Sequence, residues 1–192
     1  MRGLKMQNIK AFIDKAESMS KEELIKALPD ILKQAKEIGF IKVAKEYPQI
    51  NDIVRSKLAE FEVDEALNMM KQFMPMLFEA MQDLVETNED IAEELEDIED
   101  TVVSMVVEDA DFAMTFIIKD GKFDFKMEVV EGADLVLKMG KEAMKALMAG
   151  NSDPIQAYMA GDVKAEGNLT KAMALRSIFE ALGDEFGFDL MG

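Results

Sequence analysis

The side chains available for covalent chemistry in this sequence are few in kind. Its 192 residues include no histidine and no cysteine, which excludes Ser-His-Asp triads, cysteine nucleophiles, thiolate zinc sites and disulfides. An enzyme of this composition would depend on carboxylates, lysines or Tyr158 in an apolar cleft, and no paired arrangement of these residues selects a reaction. We therefore expect a protein that is not an enzyme, with no catalytic residues and no cofactor.

An acidic run is the one segment in which a metal ion could be held. Residues 79–100 are rich in Asp and Glu and contain no basic residue. The run also lacks glycine and fits no calcium-loop spacing, while Leu84, Ile91 and Leu95 keep apolar positions at helical spacing. The pattern predicts two short helices with acidic, solvated outer faces, the second capped by Asn88, and no metal site.

Large apolar side chains that alternate along residues 112–129 could instead bind an apolar ligand noncovalently. The alternation predicts two strands that turn the same kind of face inward. The inward set is Phe112, Met114, Phe116, Phe123, Phe125 and Met127. The pattern leaves open whether these side chains fill a solid core or line a cavity, in which the flexible methionines would adapt to a ligand.

The elements that must position this face form a predicted sheet of five strands. The strands are expected at 102–107, 112–119, 122–129, 133–139 and 162–166. Asp120-Gly121 is a strong hairpin signal, because both positions of a two-residue turn need positive φ. The first four strands are predicted to form an antiparallel meander whose oily face is covered by helices. The fold class is therefore α+β, with a five-stranded, mostly antiparallel sheet and helices on one face.

The first 100 residues are predicted to be helical. Ser20 and Glu23 fit a capping box, and Pro29 is expected to begin a separate helix that ends at Gly39. Residues 65–82 are apolar almost all round and rich in methionine, which predicts burial, a protein interface or a ligand-facing wall. Pro75 is expected to kink this helix or to split it in two.

The C-terminal part mixes short helices with the last strand. Asp153 is expected to cap a helix that has Pro154 at its first position and ends at Gly161. A closing helix is predicted over 169–182, and the apolar tail 183–192 is expected either to dock into a groove or to stay loose.

The net charge of −17 argues against binding to nucleic acids and against strong docking on anionic membranes, because phosphates would be repelled. The sequence has no apolar run long enough to span a membrane and no signal-peptide core at its N-terminus. We therefore expect a cytoplasmic protein.

The order of these features from about residue 74 to 182 resembles the sterol carrier protein type 2 (SCP2) family. The resemblance is carried by the hairpin at Asp120-Gly121-Lys122, the strand ADLVLKM at 133–139, the short helix DPIQAYMAG at 153–161, and DVKAEGN at 162–168 followed by Met173 and Leu175. The helix pair 76–99 is similar to the family's opening region. This divides the chain into a lipid-binding domain, 74–192, and a helical region, 1–73, which we match to no family.

The resemblance implies an apolar tunnel between the sheet and the helices that binds, and transfers, fatty acids, fatty acyl-CoA, phospholipids or sterols. Its expected ligand-lining residues are Phe112, Met114, Phe116, Phe123, Phe125, Met127, Leu137, Ile155, Gln156, Tyr158, Met159, Met173 and Phe179. A polar head group would lie near Gln156, Lys164 or Arg176. An accessory role beside a lipid-metabolising enzyme is also compatible with the resemblance. The chain ends Leu190-Met191-Gly192, not in a peroxisomal Ser-Lys-Leu signal.

A second function class stays open beside the lipid carrier. The Met-rich stretch 65–82 could form a surface for protein partners, so that the chain would act as a scaffold without a lipid ligand. The N-terminal helices could equally form a homodimer.

Overall fold

The computed structural model describes residues 2–186. Within this range the chain forms nine helices, and their bounds follow. They are α1 (Arg2–Ala16), α2 (Lys21–Ile38), α3 (Phe40–Glu46), α4 (Ile50–Glu60), α5 (Val63–Thr87), α6 (Glu89–Glu96), α7 (Lys141–Met148), α8 (Pro154–Ala160) and α9 (Thr170–Phe186). The expectation for the tail beyond residue 186 lies outside the described residues.

The five predicted strands are present and form one sheet in the order β3-β2-β1-β4-β5. They are β1 (Thr101–Val107), β2 (Phe112–Lys119), β3 (Lys122–Lys126), β4 (Leu135–Met139) and β5 (Val163–Gly167). The α+β class is confirmed. The prediction of a continuous antiparallel meander is wrong. β4 lies beside β1 and runs parallel to it, so that the sheet is mixed. The chain after β3 crosses over β2 and β1 before β4 begins, instead of turning back on β3.

Local signals at the ends of elements are confirmed. The Glu23 amide donates to Ser20 Oγ at 3.3 Å and the Ser20 amide donates to Glu23 Oε2 at 2.9 Å, which is the capping box that begins α2. The Asn88 side chain accepts hydrogen bonds from the Asp90 and Ile91 amides in the first turn of α6. Asp120 and Gly121 both have positive φ, 51° and 68°, as a two-residue hairpin with the right-handed strand twist requires.

Pro29 and Pro75 lie inside continuous helices, which corrects the separate helix expected at Pro29 and the split expected at Pro75. Pro29 does not begin a helix but lies within α2, and Pro75 does not split α5. A proline inside a helix removes one backbone hydrogen bond and costs about 3 kcal/mol or more. In α5 that cost is offset by the burial of Met70, Met74 and Phe78 on either side of the proline. The first of the two short acidic helices is therefore the end of α5, and α6 is the only separate one.

Two hydrophobic clusters meet along α5. One consists of side chains from α1–α4 and the first turn of α5, up to Ala66. The other begins at Leu67 and contains the sheet and the remaining helices, together with Ala44 of α3. The predicted boundary between residues 73 and 74 therefore falls inside a continuous helix, a little beyond the point at which the clusters divide.

The described residues contain no helix that is both long enough and apolar enough to cross a membrane. They also contain no group of three or more carboxylates arranged to hold a metal ion.

Candidate functional site

One face of the sheet carries most of the predicted inward set. The pairing register places Phe116 opposite Val103, Met114 opposite Met105 and Phe112 opposite Val107. Residues directly opposite each other in adjacent strands point to the same face. Phe112, Met114 and Phe116 are each almost fully buried there.

Aromatic contacts show which helices cover this face. The Phe78 ring of α5 lies 5.1 Å from the Phe116 ring and 4.8 Å from the Phe125 ring, measured between centroids. The Phe179 ring of α9 lies 5.0 Å from Phe116 and 6.3 Å from Phe123. α5 and α9 therefore both cover this face of the sheet, and the rings fill the space between the two layers at this point.

Eight of the predicted lining residues are brought together in or against this layer. Phe112, Met114, Phe116, Phe123 and Phe179 are buried, and Phe125, Met127 and Leu137 are half-buried against the same cluster.

The other five predicted lining residues lie on the protein surface. Ile155, Tyr158 and Met159 are 58%, 42% and 79% exposed, Met173 is 61% exposed, and Gln156 is exposed as well. The short helix α8 turns Ala157 toward β5 and leaves its neighbours outside. α9 buries the stripe of Leu175, Ile178, Phe179 and Leu182, which does not include Met173.

The predicted head-group residues Lys164 and Arg176 also lie on the surface, each beside a carboxylate. Lys164 Nζ is 3.3 Å from Glu108 and Arg176 Nε is 2.7 Å from Glu180.

A groove opens at the corner of the sheet where β3 ends. The last residue of β3, Lys126, pairs with Thr115, so that β2 continues past it through Phe112, Ala113 and Met114. The groove has a volume of about 560 Å³, within the range of about 300–1,000 Å³ typical of ligand sites. Its lining residues are Lys71, Val106, Val107, Ala110, Asp111, Phe112, Ala113, Met127, Glu128 and Val129.

The rim of this corner groove is fixed by hydrogen bonds on one side and an ion pair on the other. Thr115 Oγ1 donates to the Glu128 carbonyl at 2.6 Å and lies 2.7 Å from Ser104 Oγ, which holds the chain leaving β3. Across the groove, Lys71 Nζ of α5 donates to Asp111 Oδ2 at 3.0 Å. Both members of this pair line the groove.

Sequence analysis did not identify Lys71. A signal was present, since Lys71 is the only basic residue in the apolar stretch 65–82. Its proximity to Asp111 depends on how α5 packs across the sheet. The helical periodicity of the sequence does not predict that packing.

A second groove, of about 310 Å³, lies between α5 and the junction of α2 and α3. It is lined by residues of these helices, among them Lys36, Phe40, Met76, Asp83 and Glu86, and by no residue of the sheet. Lys36 donates to Glu79, and this hydrogen bond raises the pKa of the lysine above its ordinary value.

The methionines of α5 face the chain's own interior. Met70, Met74 and Met81 are buried, and Met69 and Met76 are half-buried. These side chains therefore add little to any exposed apolar surface on α5.

Comparisons with known proteins agree with this architecture. A model of the SCP-2 sterol transfer family matches residues 78–180, which is more than half of the chain. No curated protein sequence gives a significant match.

Among solved structures, the chain is similar to "UbiJ-SCP2 Ubiquinone synthesis protein", at 13% identity over 57% of this chain and 98% of that one, with a TM-score of 0.41. It is similar to apo sterol carrier protein 2 from Yarrowia lipolytica, at 18% identity over 54% and 86%, also with a TM-score of 0.41. It is also similar to the sec-alkylsulfatase Pisa1 from Pseudomonas sp., at 23% identity and a TM-score of 0.37, where 60% of this chain covers only 16% of that one. On the strength of the match over residues 78–180, the chain belongs to the SCP-2 sterol transfer family.

Proposed function

We propose that the sheet with α5 and α9 forms a non-catalytic carrier that binds an apolar lipid between its two layers and hands it on. Its ligand would be a fatty acid, a fatty acyl-CoA, a phospholipid or a sterol-like lipid. The observation that carries this proposal is the corner groove, since Phe112 and Met127 belong both to its wall and to the apolar layer beneath it.

The entry of a chain at this corner would not require the core to unfold. The Lys71–Asp111 pair spans the groove from α5, and Asp111 is fully exposed to water. Exposed ion pairs contribute about 0–1 kcal/mol, so that opening this pair would cost little. Met127 lines the groove and Met114 is buried in the apolar layer, and methionine side chains adjust to irregular apolar shapes.

Apolar burial would supply the binding free energy. Each buried CH₂ contributes about 0.8 kcal/mol, so that a sixteen-carbon chain yields about 12 kcal/mol before the costs of association. After a cost of about 4 kcal/mol or more for lost translational and rotational freedom, micromolar affinity remains possible for a chain buried along most of its length, since a Kd of 1 μM corresponds to about −8 kcal/mol.

Native mass spectrometry of the gently purified full chain tests the proposal directly. We expect a copurified lipid, or micromolar binding of a fluorescent fatty acid or a fluorescent fatty alcohol. The proposal fails if no lipid copurifies and neither probe binds.

Two variants locate the site within the molecule. Met127→Asn places an amide where the corner groove meets the apolar layer and should weaken binding about tenfold or more, a loss of about 1.4 kcal/mol. Met159→Ser changes a 79% exposed side chain on α8 and should leave binding unchanged. The reverse pattern would place the ligand at α8 and not at the corner of the sheet.

We further propose that the carrier domain begins within α5 and that α1–α4, with the first turn of α5, form a helical cover on it. Polar contacts support the cover. Lys141 Nζ of α7 donates to Asp64 at 2.8 Å, and Lys145 Nζ donates to the Phe61 carbonyl and, at 3.2 Å, to the Ala59 carbonyl.

A further inference from the structure

The charges that line the corner groove are mostly negative. Lys71 is its one lining cation, and Asp111 and Glu128 are its lining carboxylates. Lys71 already donates to Asp111 at 3.0 Å, so that the positive charge is compensated within the groove. With Glu128 included, the lining carries a net charge of −1.

The rest of the chain reinforces this field. The net charge is −17, and the second groove repeats the pattern, because Lys36 is paired with Glu79 while Asp83 and Glu86 also line it. An anion that approaches either groove therefore meets an excess of carboxylates. Long-range fields of this kind lower the local concentration of ligands of the same sign.

Resting on the proposed carrier function, we propose that Asp111 and Glu128 make the corner groove select lipids with uncharged head groups and reject anionic ones. An anionic head could reach Lys71 only by competing with Asp111, which would then remain beside the new anion. An uncharged hydroxyl head needs no such exchange. Lysine has three N–H donors, of which Asp111 uses one, and a hydroxyl can accept from another while donating to a free carboxylate oxygen.

The charge of the head group, with the apolar chain kept constant, tests this selection. Hexadecanol, palmitate and palmitoyl-CoA share a sixteen-carbon chain and differ in head-group charge. Each is titrated below its micelle concentration, at pH 7 and low salt, against full-length protein loaded with a fluorescent fatty alcohol. We expect hexadecanol to displace the probe at least about tenfold more effectively than palmitate, and palmitoyl-CoA to be the weakest competitor.

Paired charge variants separate the groove from the chain as a whole. Asp111→Asn with Glu128→Gln leaves Lys71 as the only charged lining residue, so the affinity for palmitate should rise about tenfold relative to the affinity for hexadecanol. Glu93→Gln with Glu94→Gln on the exposed face of α6 changes the net charge equally, away from the groove. This control should change the binding of neither hexadecanol nor palmitate. At 1 M salt, where the Debye length falls to about 3 Å, the wild-type preference should shrink.

The outcomes are distinguishable. Equal displacement by hexadecanol and palmitate in the wild type overturns the selection, as does an equal gain in the α6 control. If none of the three ligands binds and the alcohol probe itself fails, the carrier function fails, and the question of head-group charge does not arise.

Discussion

The rings of Phe78 and Phe116 meet edge to face, with their centroids 5.1 Å apart and their planes at 77°. This contact joins the middle of α5 to the middle of β2 and lies at the centre of the layer between helices and sheet. Edge-to-face pairs contribute about 0.5–1.5 kcal/mol beyond the area that they bury. α5 therefore docks on the sheet through this ring together with Leu67, Met70 and Met74 of its N-terminal half, which are buried in the same cluster.

Replacing Phe78 should destabilise the fold strongly. Phe78→Ala removes a side chain that is only 2% exposed and leaves a cavity, so we expect a loss of about 3–5 kcal/mol in the free energy of unfolding. Urea unfolding followed by circular dichroism measures it. Val54→Ala, at a position that is 56% exposed on α4, is the control and should change stability by no more than about 0.5 kcal/mol. Similar losses for the two variants would mean that Phe78 is not a central contact.

The sheet was predictable because its signals are local. Alternation from Phe112 to Met127 specifies strands with one buried face, and Asp120-Gly121 specifies the turn. The position of β4 beside β1 was not predictable, since an apolar strand such as 135–139 satisfies the same alternation against either neighbour. That position depends on the crossing chain, which Thr115 holds through a hydrogen bond to the Glu128 carbonyl that no periodicity reveals.

The residues of the candidate site likewise divide into those that the sequence predicted and those that it did not. Inward positions in the strands were identified, because the period of two fixes their face. On the helices, Phe179 of α9 was placed correctly, whereas the α8 positions and Met173 were not, because an apolar residue on a helix can point to the core or to water. Met159 and Met173 point to water. Lys71 was missed because its role depends on a partner 40 residues away in sequence.

Gly167 should tolerate no side chain. Its φ is +115°, and a Cβ there would lie 2.2 Å from the Asp134 carbonyl oxygen at the start of β4. Gly167→Ala should therefore cost more than about 3 kcal/mol, the upper end of the range for backbone strain alone. Gly132→Ala is the matched control, because its φ is +78° and no atom lies within 4 Å of the added Cβ. It should cost only about 1–2 kcal/mol. Thermal unfolding of both variants checks the difference, and equal losses would exclude a close approach at Gly167.

Glu65 should link the stability of the N-terminal region to pH. Its carboxylate accepts from the Glu62 amide at 3.0 Å and lies 3.2 Å from Lys21 Nζ. These contacts lower the pKa of Glu65 below the ordinary value of 4.5, and the Glu62 amide has the larger effect. A group whose pKa is depressed on folding contributes stability above its unfolded pKa and loses it as pH falls through the folded value.

Glu65→Gln should therefore lower the urea midpoint at pH 7, and the gap to wild type should narrow below about pH 4. The gap is the quantity to measure, because protonation of other carboxylates affects both proteins alike. Glu93→Gln on the exposed face of α6 serves as the control for the loss of one negative charge. A gap that stays constant from pH 7 to pH 3 would show that Glu65 is not linked to folding.

Truncation within α5 should damage the SCP2 domain more than truncation before α5. A fragment of residues 74–192 loses Leu67 and Met70, which are buried in the cluster that contains the sheet, and it also loses Lys71. Removing such side chains costs about 2–5 kcal/mol each. A fragment of residues 62–192 keeps them, together with the Glu62 capping box of α5. We expect the longer fragment to unfold cooperatively in urea at a clearly higher midpoint, and the shorter one to be marginally folded. Equal midpoints would mean that the domain is complete from residue 74 and that the first three turns of α5 belong, energetically, to the N-terminal helices.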